Sequence, residues 1–166
     1  MVENYSKLNT ENFLVRDFME IALSEAMLAQ NNGDVPVGAI IVKDRKIISN
    51  AHNEVILNNN PLAHAEILAI NKAMQIVGDK NLSNCDLYVT LEPCAMCAGA
   101  IVLAKIRRIY IGAEDAKTGA CGSVYNILQD RRLNHYCEIY SGISNEKCAK
   151  LLSDFFSKLR ENKQTK

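Results

Sequence analysis

Two short motifs hold four residues whose types and spacing suit a metal-dependent hydrolytic site. The first is His64-Ala65-Glu66, and the second, Pro93-Cys94-Ala95-Met96-Cys97, begins 27 residues after Glu66. Two thiolates and one imidazole are good zinc ligands, and three protein ligands leave a fourth tetrahedral position for water. A zinc ion lowers the pKa of such a water to about 7. Glu66, two residues beyond His64, is close enough to move protons without binding the metal. The motifs therefore predict zinc ligands at His64, Cys94 and Cys97, with Glu66 as the proton carrier.

Each motif is predicted to open a helix. Pro61 precedes a helix that runs to Val77 and is closed by Gly78, and Pro93 precedes a second helix from Cys94 to about Ala104. Proline suits a helix start because its missing N–H is not needed there. Cysteines three residues apart on a helix project from the same face. The positive end of the helix dipole favours the thiolate form that a metal ligand requires.

Two other interpretations of the cysteine pair remain open. A Cys-x-x-Cys after a strand is also typical of a thioredoxin-like redox pair, which would leave His64 and Glu66 without a role. A closed structural zinc site would need a fourth protein ligand. Cys85 lies about 20 Å from the end of an extended segment that runs to Leu91, at about 3.3 Å per residue, and does not easily reach the metal. His52 and His135 are the other possible fourth ligands.

The remaining pattern predicts the elements that position the motifs. Apolar residues at helical spacing, alternating strands and turn residues mark each element. The predicted elements are a helix from about residue 10 to 32, a hairpin over 37–48, strands at 85–91, 109–111 and 138–140, and a last helix over 145–159. This order predicts one domain over residues 1–166, an α/β fold in which helices enclose a mixed five-stranded sheet in a three-layer α/β/α sandwich.

Composition indicates the class of protein and its cellular compartment. The chain has 166 residues, of which 48% are hydrophobic and 23% charged, as in ordinary globular proteins. The longest apolar stretch, residues 98–104, is far shorter than the roughly 20 residues that span a bilayer. No basic region leads into an apolar segment at residues 1–4. We therefore expect a cytoplasmic protein without a membrane partner, whose four cysteines outside the motif are small buried apolar residues.

Charge is balanced overall but uneven along the chain. The net charge is zero, which excludes the global basic footprint of many nucleic-acid binders. Residues 147–166 nevertheless hold six lysines and arginines against two acidic residues. This pattern favours a solvated basic helix over a contact site for an anionic partner.

The combination of His-Ala-Glu and Pro-Cys-x-x-Cys resembles the signature of the cytidine deaminase superfamily. Within that superfamily, residues 35–39, 60–67, 88–100, 112–120 and 151–156 are similar to bacterial tRNA-specific adenosine deaminases. The resemblance extends from about residue 18 to residue 160. It implies a cytidine-deaminase-like fold, a homodimer with one zinc ion per subunit, and a tRNA anticodon loop as partner. The implied reaction is hydrolytic deamination of adenosine to inosine at the wobble position.

The resemblance also implies roles for individual residues. It makes His64, Cys94 and Cys97 the zinc ligands and Glu66 the proton shuttle beside a zinc-activated water. The substrate contacts it implies are Asn53, Ala65, Asp115, Phe155 and Phe156. Two alternative functions share the zinc motif: deamination of a free guanine-type or cytidine-type nucleobase or nucleotide, and a non-catalytic zinc-binding RNA module. The latter would be marked by the loss of Glu66, which is present.

Overall fold

A five-stranded mixed sheet forms the middle layer of the structure, a computed structural model in which residues 5–164 are described. The strands lie in the order β2-β1-β3-β4-β5. Strand β1 is antiparallel to β2 and β3, whereas β3, β4 and β5 run parallel to one another. Their bounds are β1 Gly38–Lys43, β2 Lys46–His52, β3 Cys85–Leu91, β4 Arg108–Ala113 and β5 Glu138–Tyr140. The predicted mixed five-stranded sheet is confirmed.

Four helices cover the two faces of this sheet, and a short 3-10 helix at Tyr5–Lys7 precedes them. They are α1 Val15–Asn31, α2 Ala65–Val77, α3 Ala95–Leu103 and α4 Asn145–Gln164. Because successive strand residues point to opposite faces, Ile41 and Leu87 pack with α2 and α3 while Ile40 and Tyr88 pack with α1 and α4. The predicted three-layer sandwich is confirmed. None of the described helices combines the length and the hydropathy needed to cross a membrane.

The first helix begins later than the sequence predicts. Arg45, in the turn between β1 and β2, donates hydrogen bonds to the carbonyl oxygens of Glu11 at 3.0 Å and Phe13 at 2.6 Å. In a helix the carbonyl of Glu11 would accept from the N–H four residues later, so the contact with Arg45 diverts it and α1 starts at Val15. Residues 1–4 and 165–166, which belong to the predicted domain, lie outside the described residues. The same holds for the last two residues of the basic C-terminal segment.

One edge of the sheet collects chain segments from four strands. The carboxyl ends of the parallel strands β3 and β4 meet there, with Leu91 paired to Ala113. Strand β1 starts at the same edge and β2 ends there, since Gly38 pairs with His52. Residues 34–37, 53, 92–94 and 115 therefore lie close together. The first residues of α2 and α3 also lie at this edge. The sheet topology therefore brings the two predicted motifs close to each other.

Candidate active site

His64, Cys94 and Cys97 form a cluster of potential metal ligands. His64 and Cys94 are the residues that cap the N-termini of α2 and α3, and Cys97 lies in the first turn of α3. The Nδ1 atom of His64 is 3.5 Å from the Sγ of Cys97 and 3.7 Å from the Sγ of Cys94. The three ligand atoms all lie within 4.8 Å of one another. Within residues 5–164 no other group of three such side chains is close enough to hold a metal ion.

The three side chains of this cluster differ in how strongly they hold protons. Hydrogen bonds with Cys97 and with His64 lower the pKa of the Cys94 thiol far below its ordinary value. The same contact with Cys94, together with burial, raises the pKa of Cys97. The hydrogen bond to Cys94 also raises the pKa of His64. Thiols and an imidazole that share protons in this way release them when a metal binds, so the cluster is able to bind a metal ion.

Glu66 lies against the cluster without belonging to it. It is the second residue of α2 and only 3% exposed. Burial is the largest effect on this carboxyl and raises its pKa, and Cys97 shares a hydrogen bond with it. A carboxyl whose pKa is raised accepts a proton more readily than an ordinary carboxylate does, and it can pass that proton on. Glu66 is therefore suited to proton transfer beside a metal ion.

A cavity of about 410 Å³ opens next to His64, Glu66 and Cys94. Its size falls within the range of small-molecule sites, which is roughly 300–1,000 Å³. The walls come from the segments that meet at the sheet edge, and they combine apolar side chains with polar and ionisable ones. The remaining wall residues include Val35, Val37, Asn53, Val55, Ile56, Leu91 and Thr118. The cavity therefore offers apolar surface for the faces of a heterocyclic base and polar groups for its edge.

Asn53 lies in the cavity wall, where its side chain is tied to α2. Its Oδ1 accepts a hydrogen bond from the N–H of Ala65 at 2.9 Å. Its own N–H donates to the carbonyl of Val37 at 3.0 Å, and the residue is 6% exposed. Since Oδ1 is engaged, the Nδ2 amide is the end of the side chain that is left to donate toward the cavity. Because the N–H of Ala65 donates to Asn53, this N–H is not left to bind a substrate.

Asp115 lies on the loop after β4, at the rim of the cavity. Its carboxylate accepts hydrogen bonds from the N–H groups of Lys117 at 2.9 Å and Thr118 at 3.2 Å, and from the Thr118 hydroxyl at 2.5 Å. Burial alone would raise the pKa of Asp115, but these hydrogen bonds outweigh it and hold the pKa below its ordinary value. The Asp115 carboxylate therefore stabilises the conformation of the loop on which it lies.

The two phenylalanines of α4 lie in different surroundings. Phe155 is 8% exposed, whereas Phe156 is 42% exposed and packs edge-on against it with ring centroids 5.4 Å apart. Phe156 lines a second cavity of about 580 Å³ with Lys117 and Arg160. The two cavities share the wall residues Val35, Leu91, Asp115 and Thr118. The two cavities therefore adjoin each other between the metal cluster and α4, and together they are here called the groove.

Two buried carboxylates near the cavity were not predicted from the sequence. Asp34, 1% exposed, accepts hydrogen bonds from the N–H groups of Ile56 at 2.7 Å and Val35 at 3.0 Å. Glu92, 4% exposed, accepts four hydrogen bonds from residues 115–123. Burial would raise the pKa of Glu92, but the bonds from Ser123 and the loop N–H groups outweigh it and lower the pKa. For Glu92 the available signal was an acidic residue directly before Pro93 at the end of β3.

The candidates for a fourth protein ligand lie elsewhere. Cys85 is buried at the start of β3. The Nδ1 of His52 is 2.7 Å from a carboxylate oxygen of Glu25, and the Nε2 of His135 is 2.7 Å from the carbonyl oxygen of Ile106. Cys85, Cys121, Cys137 and Cys148 are free and buried, as predicted. In the described part of the chain the cluster therefore consists of three potential protein ligands beside the cavity.

Comparison with known proteins defines the class of this enzyme. A family described as MafB19-like deaminase matches residues 15–160. A solved structure from studies of A-to-I editing by tRNA:A34 deaminases at the wobble position of transfer RNA is similar to the chain with a TM-score of 0.79 and 43% identity, covering 82% of this chain and 99% of that one. A guanine deaminase from Bacillus subtilis is also similar, with a TM-score of 0.59 and 40% identity over 61% of this chain and 66% of its own. The fold and the His/Cys/Cys cluster are those of a hydrolytic deaminase.

Among curated proteins, the tRNA-specific adenosine deaminase of Aquifex aeolicus is 49% identical over 145 residues, which cover 87% of this chain and 95% of that protein. The chain belongs to the tRNA-specific adenosine deaminase family.

Proposed function

We propose that this chain binds one zinc ion and deaminates adenosine to inosine at the wobble position of a tRNA anticodon. The observation that carries the proposal is the groove between the metal cluster and α4. A cavity of base size that adjoins a second, larger cavity fits a nucleotide within a polymer, because the neighbouring nucleotides then have a place to lie. The likeness to tRNA-specific adenosine deaminases over most of the chain supports the same substrate.

The spacing of the cluster supports zinc as the metal. A tetrahedral zinc ion with bonds of about 2.3 Å to sulfur and about 2.0 Å to nitrogen holds sulfur and nitrogen about 3.5 Å apart. The observed distances from His64 Nδ1 to the two sulfurs are 3.5 and 3.7 Å. His64, Cys94 and Cys97 would hold the ion. When bound, zinc supplies a water whose pKa is lowered to about 7.

Glu66 moves the protons of the reaction. It accepts a proton from the attacking water and donates it to N1 of adenine. It then takes the remaining proton from the oxygen that has added to C6 and passes it to the amino group, so that the C6–N bond breaks, ammonia leaves and the C6 carbonyl of inosine remains. Its burial and raised pKa support both halves of this role, because the same carboxyl must take and give a proton near neutral pH.

Side chains along the groove position the RNA. The target base is splayed out of the single-stranded loop, where unstacking costs least. The free amide of Asn53 donates to that base inside the cavity, which Ala65 and its N–H bond to Asn53 help to shape. Asp115 stabilises the loop at the rim of the cavity. The exposed ring of Phe156 stacks on a neighbouring base, and Phe155 packs against Phe156 from the buried side. Lys117 and Arg160 attract the phosphates.

We also propose that the enzyme acts as a homodimer in the cytoplasm. Large apolar side chains are exposed on α2 and α3, with Ile76 64% exposed and Leu103 79% exposed. Ile67, Met74 and Leu103 line a shallow apolar depression between these helices. Exposed apolar patches of this kind are typical of protein–protein interfaces. Light scattering of the purified protein tests this: a mass near twice 18.5 kDa supports the dimer, and a mass near 18.5 kDa contradicts it.

Product analysis tests the substrate. The zinc-loaded protein is incubated separately with an anticodon hairpin RNA that carries adenosine at the wobble position, with free adenosine, with guanine and with cytidine. We expect inosine in the RNA and little conversion of the free compounds. Because a guanine deaminase shares the fold, xanthine from guanine with unchanged RNA would instead establish the alternative function, a deaminase of a free nucleobase.

A further inference from the structure

Glu92 is a carboxylate enclosed by hydrogen-bond donors from a single loop, residues 114–123, here called the rim loop. Its Oε2 accepts from the N–H of Asp115 at 3.0 Å and from the hydroxyl of Ser123. Its Oε1 accepts from the N–H groups of Cys121 at 2.9 Å and Ser123 at 3.0 Å. A carboxylate has about four acceptor positions. The rim loop therefore occupies all of them, and no position is left over for a substrate.

The rim loop also forms hydrogen bonds with Pro93 and pairs with Cys94, the potential metal ligand that follows β3. Gly119 forms an antiparallel bridge with Cys94, and the N–H of Ala120 donates to the carbonyl of Pro93 at 2.8 Å. A Cβ atom at Gly119 would lie 2.5 Å from the Glu92 carboxyl carbon and 2.5 Å from the carbonyl oxygen of Asp115. This close approach requires glycine. The rim loop and residues 92–94 thus form one interlocked unit beside the cavity.

The position of the substrate-facing residues depends on this unit. Asp115 and Thr118 lie on the rim loop and line both the cavity and the groove. Asp115 binds Glu92 through its N–H and binds Thr118 through its carboxylate. A shift of the rim loop away from Glu92 would therefore move Asp115 and Thr118, and with them the walls of the cavity and of the groove. His64 and Glu66, which lie on other segments, would keep their positions.

We propose that Glu92 is a positioning residue, which fixes the rim loop over the groove and so sets the affinity for the RNA substrate. The inference rests on the proposed function for the identity of that substrate. The charge matters as well as the shape, because the amide of glutamine would point one NH₂ group at N–H donors that need an acceptor. Each such loss leaves a buried donor without a partner.

The test compares Glu92→Gln with the wild-type protein by zinc content, by steady-state kinetics on the anticodon hairpin RNA and by amide hydrogen exchange. We expect unchanged zinc content, kcat within about threefold and a KM for the RNA that rises about tenfold, as the loss of hydrogen bonds to a charged group predicts. Exchange at the N–H groups of Asp115, Cys121 and Ser123 should accelerate by about the same factor. Asp86→Asn is the matched control, since Asp86 accepts two hydrogen bonds from Arg107 at the opposite end of β3, and its KM should not change.

Ser123→Ala keeps the carboxylate and removes one donor, so it decides the matter if Glu92→Gln does not fold. We expect a smaller rise in KM, about threefold, with faster exchange at the same N–H groups. Unchanged KM and exchange in the variant that folds would overturn the inference, as would a loss of zinc in parallel with kcat while KM stays constant. If the wild-type protein yields no inosine, the proposed function fails, whereas the exchange measurement still reports whether Glu92 holds the rim loop.

Discussion

Replacement of Glu66 by glutamine separates proton transfer from every other property of the site. Glutamine has the same shape as glutamate, so the buried position next to Cys97 stays filled. The side chain is not part of the His64/Cys94/Cys97 cluster. We therefore expect Glu66→Gln to fold, to bind zinc with unchanged stoichiometry and to bind the anticodon hairpin RNA with unchanged affinity.

The rate of deamination should fall steeply. General acid–base catalysis by one side chain contributes about 10²- to 10⁴-fold, and Glu66 serves more than one proton transfer, so we expect a loss at the upper end of this range. At about 1.4 kcal/mol per tenfold change, a 10⁴-fold loss corresponds to about 5.5 kcal/mol of transition-state stabilisation. The effect should appear in kcat and not in KM, because the amide still fills the cavity wall.

The stability of the metal-free protein should change in the opposite direction. Burial raises the pKa of Glu66 above its value in the unfolded chain. The stability associated with the protonated carboxyl is therefore fully present below the unfolded pKa and is lost as the pH rises through the folded pKa. Glutamine does not ionise, so metal-free Glu66→Gln should melt at a higher temperature than the metal-free wild type at pH 7, with the difference vanishing near pH 4.

Three measurements on Glu66→Gln check this reasoning together: zinc by elemental analysis, single-turnover inosine formation in the hairpin RNA, and thermal melting of the metal-free protein at several pH values. Loss of zinc would refute the placement of Glu66 outside the ligand set. Retention of more than about a tenth of the wild-type rate would refute its role as proton carrier. A melting difference that does not depend on pH would refute the effect assigned to burial.

Other predictions follow from the cluster and the groove. Cys94→Ala should lose zinc by elemental analysis, whereas the buried control Cys85→Ala should keep it; full occupancy in Cys94→Ala would contradict the ligand set. Zinc affinity should fall as the pH falls, because the metal must displace the proton of Cys97, and it should fall by a further tenfold or so per pH unit, about the effect of one more proton, once the pH is below the raised pKa of His64; a competition titration that shows no pH dependence would contradict this. Phe156→Ala should raise KM for the hairpin RNA about tenfold with little loss of stability, as expected for one lost stacking contact. Phe155→Ala should instead destabilise the fold by about 3 kcal/mol; equal effects of both on KM would contradict the separation of roles.

The sequence was sufficient to predict the metal cluster because each motif is local, and because the two motifs together match the signature of zinc deaminases, which implies the contact between them. His64 with Glu66, and Cys94 with Cys97, lie on two helix starts whose proline and apolar signals can be read within a few residues. The sheet was predictable for a similar reason, since each strand is marked by its own apolar run. The start of α1 was not, because it depends on Arg45, which lies more than 30 residues from the carbonyl groups that it binds.

The walls of the site could not be predicted, because they depend on contacts between distant segments. Glu92 meets its donors 23 to 31 residues later in the chain, at the edge where β3 and β4 end side by side. Phe155 and Phe156 are adjacent and chemically identical, so only the rotation of α4 against the sheet decides which ring is buried. The charge pattern of residues 147–166 likewise did not show whether Arg160 lies in solvent or at a contact site. The structure places Arg160 on the groove.

A competition experiment tests whether this protein deaminates adenosine in tRNA in preference to free nucleobases and nucleosides. The zinc-loaded protein is given an equimolar mixture of anticodon hairpin RNA, free adenosine and guanine, and all products are measured in the same sample, with the position of inosine in the RNA determined by sequencing. The groove between the metal cluster and α4 predicts inosine at the wobble position of the RNA, no xanthine, and loss of all product with Glu66→Gln. Xanthine formation with unchanged RNA would contradict the account.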